Sequence, residues 1–318
     1  MLLDVIIVAL GFVGLVFGAD KFVAGASAMA LAWGIRPLMI GLTIDPFGTS
    51  APEFFSSAVA ALENQASIAI GNALGSNIFN IGMALGIALL IRPLSAPASM
   101  LRQELPLLLG VTLITGVLFA NLHLGILDSL LLIGVLVLLT LHLIHRRTRA
   151  TECVDASEAI AIEPMSTLRA SVLLAVGLGL LLVSADALVG GASAIATHLG
   201  VSSAIIGLTI VALGTSLPEL AACVASVMRG QSDLALGNIV GSNILNLLIV
   251  LPFPGLLAAG LVETPLVTRD YFAMLLMTLV LALSLFWTIK SGKKIGRIYG
   301  MLFLAMYAAW FITLYKQA

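Results

Sequence analysis

Two six-residue motifs, GTSAPE at residues 48–53 and GTSLPE at residues 214–219, place a glutamate and two hydroxyls inside apolar stretches of the chain. Proline lacks an amide hydrogen and clashes with the carbonyl four residues before it, so Pro52 and Pro218 predict a helix break that releases backbone carbonyls. In an apolar surrounding, such carbonyls must be satisfied by protein, water or an ion. Each motif therefore collects a carboxylate, hydroxyls and carbonyl oxygens at one point.

A second pair of motifs, GSNIFN at residues 75–80 and GSNILN at residues 241–246, adds further neutral oxygens. The serine and the last asparagine of each motif are four residues apart and share a helix face. Together with Glu53 and Glu219, the motifs offer two carboxylates and many neutral oxygens, without histidine or thiolate. Hard cations such as Ca²⁺ and Na⁺ prefer this ligand set, which suits zinc and copper poorly.

A single glutamate in a membrane span could be a neutral, hydrogen-bonded packing residue. Here two glutamates occupy equivalent places in the same Gly-Thr-Ser-x-Pro-Glu context. A charge at the bilayer centre costs at least about 2.5–3.5 kcal/mol on insertion scales. The duplicated pair therefore favours cation binding over packing.

The motifs belong to an internal repeat with a constant offset of 166 residues. IGLTIDPFGTSAPEF at 40–54 aligns with IGLTIVALGTSLPEL at 206–220, and GADKFVAGASAMA at 18–30 aligns with SADALVGGASAIA at 184–196. The two halves of the chain therefore derive from one duplicated unit.

The composition indicates a polytopic membrane protein. Of 318 residues, 60% are hydrophobic and 10% are charged, and the mean hydropathy is +1.15. Apolar blocks of bilayer-spanning length run over residues 2–32, 37–62, 67–91, 103–120, 124–145, 168–197, 203–228, 234–258, 270–289 and 296–315. Because each half holds an odd number of spans, the second half enters the membrane from the opposite side. We predict an all-α fold of about ten transmembrane helices in two inverted five-helix repeats, a design that binds substrate near the bilayer midplane.

The predicted division is a first half at 1–145, a cytoplasmic linker at 146–167 and a second half at 168–318. If both termini face outward, most of the 15 basic residues lie in or beside cytoplasmic loops. The positive-inside rule therefore predicts a multi-pass protein of the cytoplasmic (inner) membrane with both termini outside. A net charge of −1 gives no reason to expect a nucleic-acid partner. The expected partners are membrane lipid and inorganic cations, and the oligomeric state is left open.

The paired motifs GTSxPE and GNxxGSNIxN, present twice in inverted halves, resemble the two alpha-repeats of sodium/calcium exchangers in the cation/Ca²⁺ antiporter superfamily, particularly the bacterial and archaeal members. The resemblance extends over nearly the whole chain and implies four central ion sites, with Glu53 and Glu219 as shared Ca²⁺ and Na⁺ ligands. It further implies carbonyl and hydroxyl oxygens from Thr49, Ser50, Thr215 and Ser216, side-chain oxygens from Ser76, Asn80, Ser242 and Asn246, and carbonyls from Pro46 and Ala212.

Charge balance suggests how such a site would work. With both glutamates ionised the site carries two negative charges, which one Ca²⁺ or two Na⁺ neutralise, so the ions compete for one set of oxygens. If the empty, charged site cannot easily change the side of the membrane that it faces, this competition produces exchange of one ion for the other. It does not produce leakage of either ion. The sequence thus predicts a secondary antiporter that exchanges Na⁺ for Ca²⁺, with no permanently bound cofactor and no enzymatic activity. A H⁺/Ca²⁺ antiporter with the same glutamates as proton carriers is the alternative, and a passive cation channel is disfavoured by the inverted repeat.

Two positions depart from the family pattern. Some family members have an aspartate where this chain has Asn246, so the motifs lack a third central acid. Conversely, the first half has TIDP, with Asp45 and Pro46, where the second half has TIVA. Pro46 disfavours helical geometry at the preceding residue and predicts a bend at Asp45. We hypothesise that Asp45 lines the ion path as a proton-sensitive third acid. The alternative is a carboxylate in a water-filled vestibule or a protonated one.

Asp20 and Asp186 form another repeated acidic pair, in the long first and sixth spans. They could guide cations or anchor moving helices. A structural hydrogen bond to a neighbouring helix end explains them equally well, so neither is assigned to the ion site.

Overall fold

The computed structural model describes residues 1–33, 44–147, 165–199, 214–258 and 261–317, which form helices and contain no strand. The helices of the first half are α1 (Leu2–Ala32), α2 (Ile44–Thr49), α3 (Ala51–Leu62), α4 (Ala66–Phe79), α5 (Gly86–Ile91), α6 (Ala98–Arg102), α7 (Glu104–Leu118) and α8 (Ile126–Arg147). Those of the second half are α9 (Thr167–His198), α10 (Leu217–Met228), α11 (Ser232–Leu245), α12 (Pro252–Leu257), α13 (Phe272–Lys290) and α14 (Arg297–Gln317).

Seven helical stretches in the described part of the chain are long and apolar enough to cross a membrane. Two shorter apolar helices, Ile126–Leu141 and Leu217–Met228, accompany them. The predicted spans 37–62 and 203–228 are described only from Ile44 and Gly214 onward. The predicted all-α membrane fold is therefore confirmed, while the sidedness and the three-part division of the chain stay predictions.

Both GTSxPE motifs break their helix, as predicted. In the first half α2 ends at Thr49 and α3 begins at Ala51. In the second half Ser216 adopts φ −90° and ψ 7°, and α10 begins at the next residue. The proline is then the second residue of the new helix, where its missing amide hydrogen is tolerated. Each glutamate consequently lies in the first turn of a helix.

A π-helical segment follows both GSNIxN motifs. Asn80–Leu85 continues α4, and Asn246–Val250 continues α11. A third π-helical segment, Leu266–Tyr271, precedes α13. π-helical segments are rare in proteins, and those that occur are often found at functional sites. The first two begin at residues related by the repeat offset, so the duplication persists in the local backbone.

The helices group into two compact units. The first unit comprises Met1–Pro52 and Cys153–Asn238, and the second comprises Glu53–Glu152 and Ile239–Ala318. Each unit contains helices from both halves of the sequence. The boundaries of the compact units therefore do not coincide with the boundary between the two repeats.

In the first unit, α1 and α9 pack as a close antiparallel pair. Three glycines of α1, Gly11, Gly18 and Gly25, recur every seven residues and meet the backbone of α9, while Gly14 meets side chains of the same helix. A Cβ atom at Gly18 would lie 2.9 Å from the backbone nitrogen of Leu181, and one at Gly177 of α9 would overlap the backbone of Phe22. Small residues let two membrane helices approach to backbone contact. The helix pair therefore depends on the absence of side chains along this seam.

Two polar contacts connect α1 to the turn between α10 and α11. The Ser27 hydroxyl donates a hydrogen bond to Oε1 of Gln231 over 2.7 Å. Arg229, the residue after α10, donates from Nε to Oδ1 of Asp20 over 3.0 Å. The structural interpretation of Asp20, a bond to a neighbouring helix end, is thus confirmed, whereas its repeat equivalent Asp186 is exposed.

The second unit shows how a buried acid is compensated in this protein. Asp270 is 4% exposed and forms an ion pair with Arg269, whose Nη2 lies 2.8 Å from Oδ2. The indole Nε1 of Trp310 donates to Oδ1 over 2.7 Å. Both carboxylate oxygens of Asp270 are therefore satisfied by donors.

Two glycines of α9 allow a direct test of the α1–α9 seam. We expect Gly177→Ala to lower the free energy of unfolding by about 1–3 kcal/mol, because overpacking separates the backbones. A Cβ atom at Gly179 would meet no other atom within 4 Å, so this glycine faces open space. Gly179→Ala should leave stability unchanged or raise it by up to about 1 kcal/mol through helix propensity. Thermal unfolding in detergent measures both, and equal melting temperatures for the two variants would contradict the close packing.

Candidate ion-binding site

The Glu219 carboxylate is fully enclosed, with 0% of the residue exposed. It lies in the first turn of α10, where the positive end of the helix dipole favours a negative charge. The Ser50 hydroxyl donates a hydrogen bond to its Oε1 over 2.7 Å, while its Oε2 has no hydrogen-bond partner among the described residues. Glu219 thus has an oxygen available to a ligand.

The residues before Ser50 arrange further oxygens near this glutamate. The Thr49 hydroxyl donates to the carbonyl of Asp45 over 3.0 Å. The carbonyl of Pro46 accepts the amide of Ser50 over 2.9 Å. This bond uses one of the two lone pairs of the carbonyl, so the other can still bind a cation.

Asp45 is 1% exposed, and its Oδ1 has no hydrogen-bond partner in the described part of the chain. It thereby differs from Asp270, which has donors on both oxygens. The predicted bend at Asp45 is wrong, because Asp45 is helical and lies in the first turn of α2. A proline in a first turn removes no intrahelical hydrogen bond, so Pro46 is compatible with a helical Asp45.

In the second unit, Glu53 is also 0% exposed. The Ser76 hydroxyl donates to its Oε1 over a long 3.4 Å. The Asn72 amide donates to the Glu53 carbonyl over 3.1 Å and to the Ser57 hydroxyl over 2.9 Å. Asn72 therefore fixes the backbone of the turn that carries the glutamate.

The two GSNIxN motifs meet in the second unit through their asparagines. The Asn80 amide donates to Oδ1 of Asn243 over 3.1 Å, and the Asn246 amide donates to Oδ1 of Asn77 over 3.1 Å. The Oδ1 atoms of Asn80 and Asn246 have no partner among the described residues, and the same holds for the Ser242 hydroxyl. Buried acceptors without donors are costly unless something satisfies them, and a cation would do so.

The residues expected from the sequence thus fall into local groups. Glu219 lies with Ser50, the residue after Thr49, and Glu53 lies with Ser76. The serine of the second GTSxPE motif, Ser216, is buried at the start of α10. Ala212 lies outside the described residues, and Thr215 immediately precedes Ser216 in the helix break.

Sequence reasoning missed the roles of Asn72, Asn77 and Asn243. All three belong to the duplicated GNxxGSN pattern, which was the available signal. The repeat is not symmetric here, however. Asn238, the equivalent of Asn72, is 1% exposed, and neither polar atom of its side chain has a partner among the described residues.

Comparisons with known proteins cover the whole chain. The family model described as sodium/calcium exchanger protein matches residues 3–145 and 169–316. The inner membrane protein YrbG of Escherichia coli is 36% identical over 322 residues, with 99% of this chain and 98% of YrbG covered. The sodium/calcium exchanger MaX1 of Methanosarcina acetivorans is 29% identical over 348 residues, with 98% of each chain covered. A structure of the sodium-calcium exchanger NCX_Mj, soaked with Na⁺ and Ca²⁺, matches with a TM-score of 0.84 at 32% identity and covers 99% of both chains.

The asymmetry between the two asparagines predicts opposite effects of one substitution. Asn72→Leu should lower the free energy of unfolding by about 1–3 kcal/mol, because the Glu53 carbonyl and the Ser57 hydroxyl lose a partly buried donor. Asn238→Leu should be neutral or stabilising, because it removes a buried amide whose polar atoms are unpartnered among the described residues. Thermal unfolding of both variants in detergent is the measurement, and a greater loss for Asn238→Leu would contradict the assigned bonding.

Proposed function

Because this chain belongs to the sodium/calcium exchanger family, we propose that it is a secondary active antiporter that exchanges Na⁺ for Ca²⁺ by alternating access. The observation that carries the proposal is the duplicated glutamate: Glu53 and Glu219 are both 0% exposed, and each accepts a hydrogen bond from a serine hydroxyl. In this proposal the two carboxylates contribute to one shared cation site.

One hydrogen bond supports a shared site in particular. Ser50 belongs to the same GTSAPE motif as Glu53, yet its hydroxyl donates to Glu219, the glutamate of the other repeat. A motif of one repeat therefore provides a polar group to the acid of the other. The proposed ligands are the carboxylates of Glu53 and Glu219 with oxygens from Thr49, Ser50, Thr215, Ser216, Ser76, Asn80, Ser242, Asn246, Pro46 and Ala212.

The exchange follows from charge and from the ligand type. Two ionised glutamates would be neutralised either by one Ca²⁺ or by two Na⁺, so each ion displaces the other. Carboxylate, hydroxyl and amide oxygens suit both of these hard cations. The naming of MaX1 as a sodium/calcium exchanger and the soaking of NCX_Mj with Na⁺ and Ca²⁺ support this choice of ions.

The proposed location is the inner membrane, with several passes and both termini outside. The apolar helices, the distribution of basic residues and the naming of YrbG as an inner membrane protein support it.

Glu53→Gln and Glu219→Gln should each reduce sodium-driven calcium uptake into proteoliposomes by at least about a hundredfold, since a buried charge-assisted contact contributes about 1.5–3 kcal/mol and each glutamate provides more than one. The exposed Glu63→Gln is the matched control and should transport as the unchanged protein does. Uptake that a pH gradient drives without sodium would instead support the H⁺/Ca²⁺ antiporter. Calcium flux that persists without any counter-ion would indicate a channel.

We also propose that Asp45 lines the ion path next to one sodium site, as a proton-sensitive third acid. Its burial, its unpartnered Oδ1 among the described residues and its place on the same helix face as Thr49 support this role. The second repeat has Val211 at the equivalent position, so only one half carries the additional acid.

Replacing Asp45 by the residue of the other repeat tests that role. Asp45→Val should raise the Na⁺ concentration for half-maximal exchange by about tenfold, because it removes an acid beside the sodium site whose charged contact is worth about 1.5–3 kcal/mol. The rate at which the protein exchanges calcium for calcium, a reaction that needs no sodium, should change less. If sodium dependence and ion stoichiometry are both unaltered, Asp45 has no part in the ion path.

A further inference from the structure

Hydrogen bonds join four asparagines of the second unit into one group, which we call the asparagine ring after the reciprocal pair at its centre. Its members are Asn77, Asn80, Asn243 and Asn246, and each is at most 1% exposed. Asn77 donates from Nδ2 to the Asn243 carbonyl over 3.1 Å, and Asn243 returns a bond from Nδ2 to the Asn77 carbonyl over 3.4 Å. The ring therefore joins the first and the second GSNIxN motif reciprocally.

Within the ring the four amides have two different roles. Asn77 and Asn243 use both ends of their side chains, since Nδ2 donates to a backbone carbonyl and Oδ1 accepts a bond. Asn80 and Asn246 use only Nδ2, which donates to those Oδ1 atoms. Because an amide has its donor and its acceptor on opposite branches, a bond to Nδ2 determines where Oδ1 points.

The direction in which Oδ1 points decides whether the amide can bind a cation. With Nδ2 engaged, Asn80 and Asn246 keep their Oδ1 atoms without a partner among the described residues. A flipped amide would instead present hydrogen-bond donors, which repel a cation. The two Oδ1 atoms come from equivalent positions of the repeat, so the same selection of orientation occurs twice.

We propose that Asn77 and Asn243 are positioning residues that hold the amide oxygens of Asn80 and Asn246 as cation ligands. The inference rests on the proposed function, because it concerns ligands of the same ion site. It adds the crossed pairing: Asn77 acts through Asn246, and Asn243 acts through Asn80. Each repeat thus orients a ligand that belongs to the other.

The asparagine ring lies on continuous helical backbone. Asn80 and Asn246 are the first residues of the two π-helical segments, and all four asparagines belong to the second unit. Asn77 Nδ2 also lies 3.4 Å from the sulfur of Met274, which packs the ring against α13. The ligand amides are therefore oriented by groups that are themselves buried and bonded.

Calcium binding to the purified full-length protein, measured by titration calorimetry in sodium-free buffer, tests the proposal. Asn77→Ala and Asn243→Ala should each weaken Ca²⁺ binding by about 10–100-fold, the range found when groups that orient metal ligands are removed. Thr112→Val is the matched control, since Thr112 is buried in the same unit and its hydroxyl donates within its own helix. It should bind Ca²⁺ as the unchanged protein does.

Double variants separate positioning from general packing. Asn77→Ala should add little to Asn246→Ala, and Asn243→Ala should add little to Asn80→Ala, because each pair acts through one ligand. In the double variant Asn77→Ala with Asn80→Ala, the fold losses in Ca²⁺ affinity should multiply, because the two changes act on different ligands. If all double variants lose Ca²⁺ affinity to the same extent relative to their single variants, the crossed pairing is overturned. Unchanged Ca²⁺ affinity in Asn77→Ala would also overturn it.

A second variant keeps the test decisive if Asn77→Ala does not fold. Asn77→Asp retains the acceptor that orients Asn246 but replaces the donor to the Asn243 carbonyl by a charged oxygen, so in this background Asn246→Ala should still weaken Ca²⁺ binding as it does in the unchanged protein. Independence from Asn246 would overturn the proposal. If the unchanged protein neither binds nor exchanges Ca²⁺, the proposed function itself fails. That result differs from native binding in the variants, which refutes the positioning role alone.

Discussion

Every polar atom buried in an apolar helix bundle must find a partner, and this constraint governs the whole molecule. Asp270 meets it with an arginine and a tryptophan. Among the described residues, Glu219 has one serine hydroxyl on Oε1 and no partner on Oε2. The amide oxygens of Asn80 and Asn246 likewise have no donor among those residues. A buried polar group without a partner is costly unless something completes its bonding, and in the proposed function a cation does so.

Duplication explains why these groups recur in pairs. The same motif produces a helix break before each glutamate and a π-helical segment at each final asparagine. The copies then differ where their surroundings differ. Asn72 has two acceptors while Asn238 has none among the described residues, and Asp45 has no acidic counterpart in the second repeat. A transporter built from inverted copies needs such differences if its two faces are to respond differently to the same ions.

Local features of the site could be predicted from the sequence, because they follow from the chemistry of single residues. Pro52 and Pro218 cannot continue a helix, so both breaks were predictable, and a repeated acid in an apolar span indicates a cation. The bend at Asp45 was predicted wrongly, because Asp45 and Pro46 both lie within the described helix Ile44–Thr49. The contacts of Asn77 with Asn243 and of Asp20 with Arg229 join residues far apart in the chain. The repeat marks Asn77 and Asn243 as equivalent positions, but neither the repeat nor any periodicity says that they contact each other, because that depends on tertiary packing.

The central claim is that Ca²⁺ and Na⁺ occupy the same oxygens. Equilibrium Ca²⁺ binding to the purified protein, measured over a series of Na⁺ concentrations without any gradient, tests it most directly. A shared site predicts that the apparent Kd for Ca²⁺ rises without limit, at least as the square of the Na⁺ concentration once sodium is in excess. A Kd that reaches a plateau at high Na⁺, or does not respond to it, would mean that the two ions bind at separate places and would contradict the account.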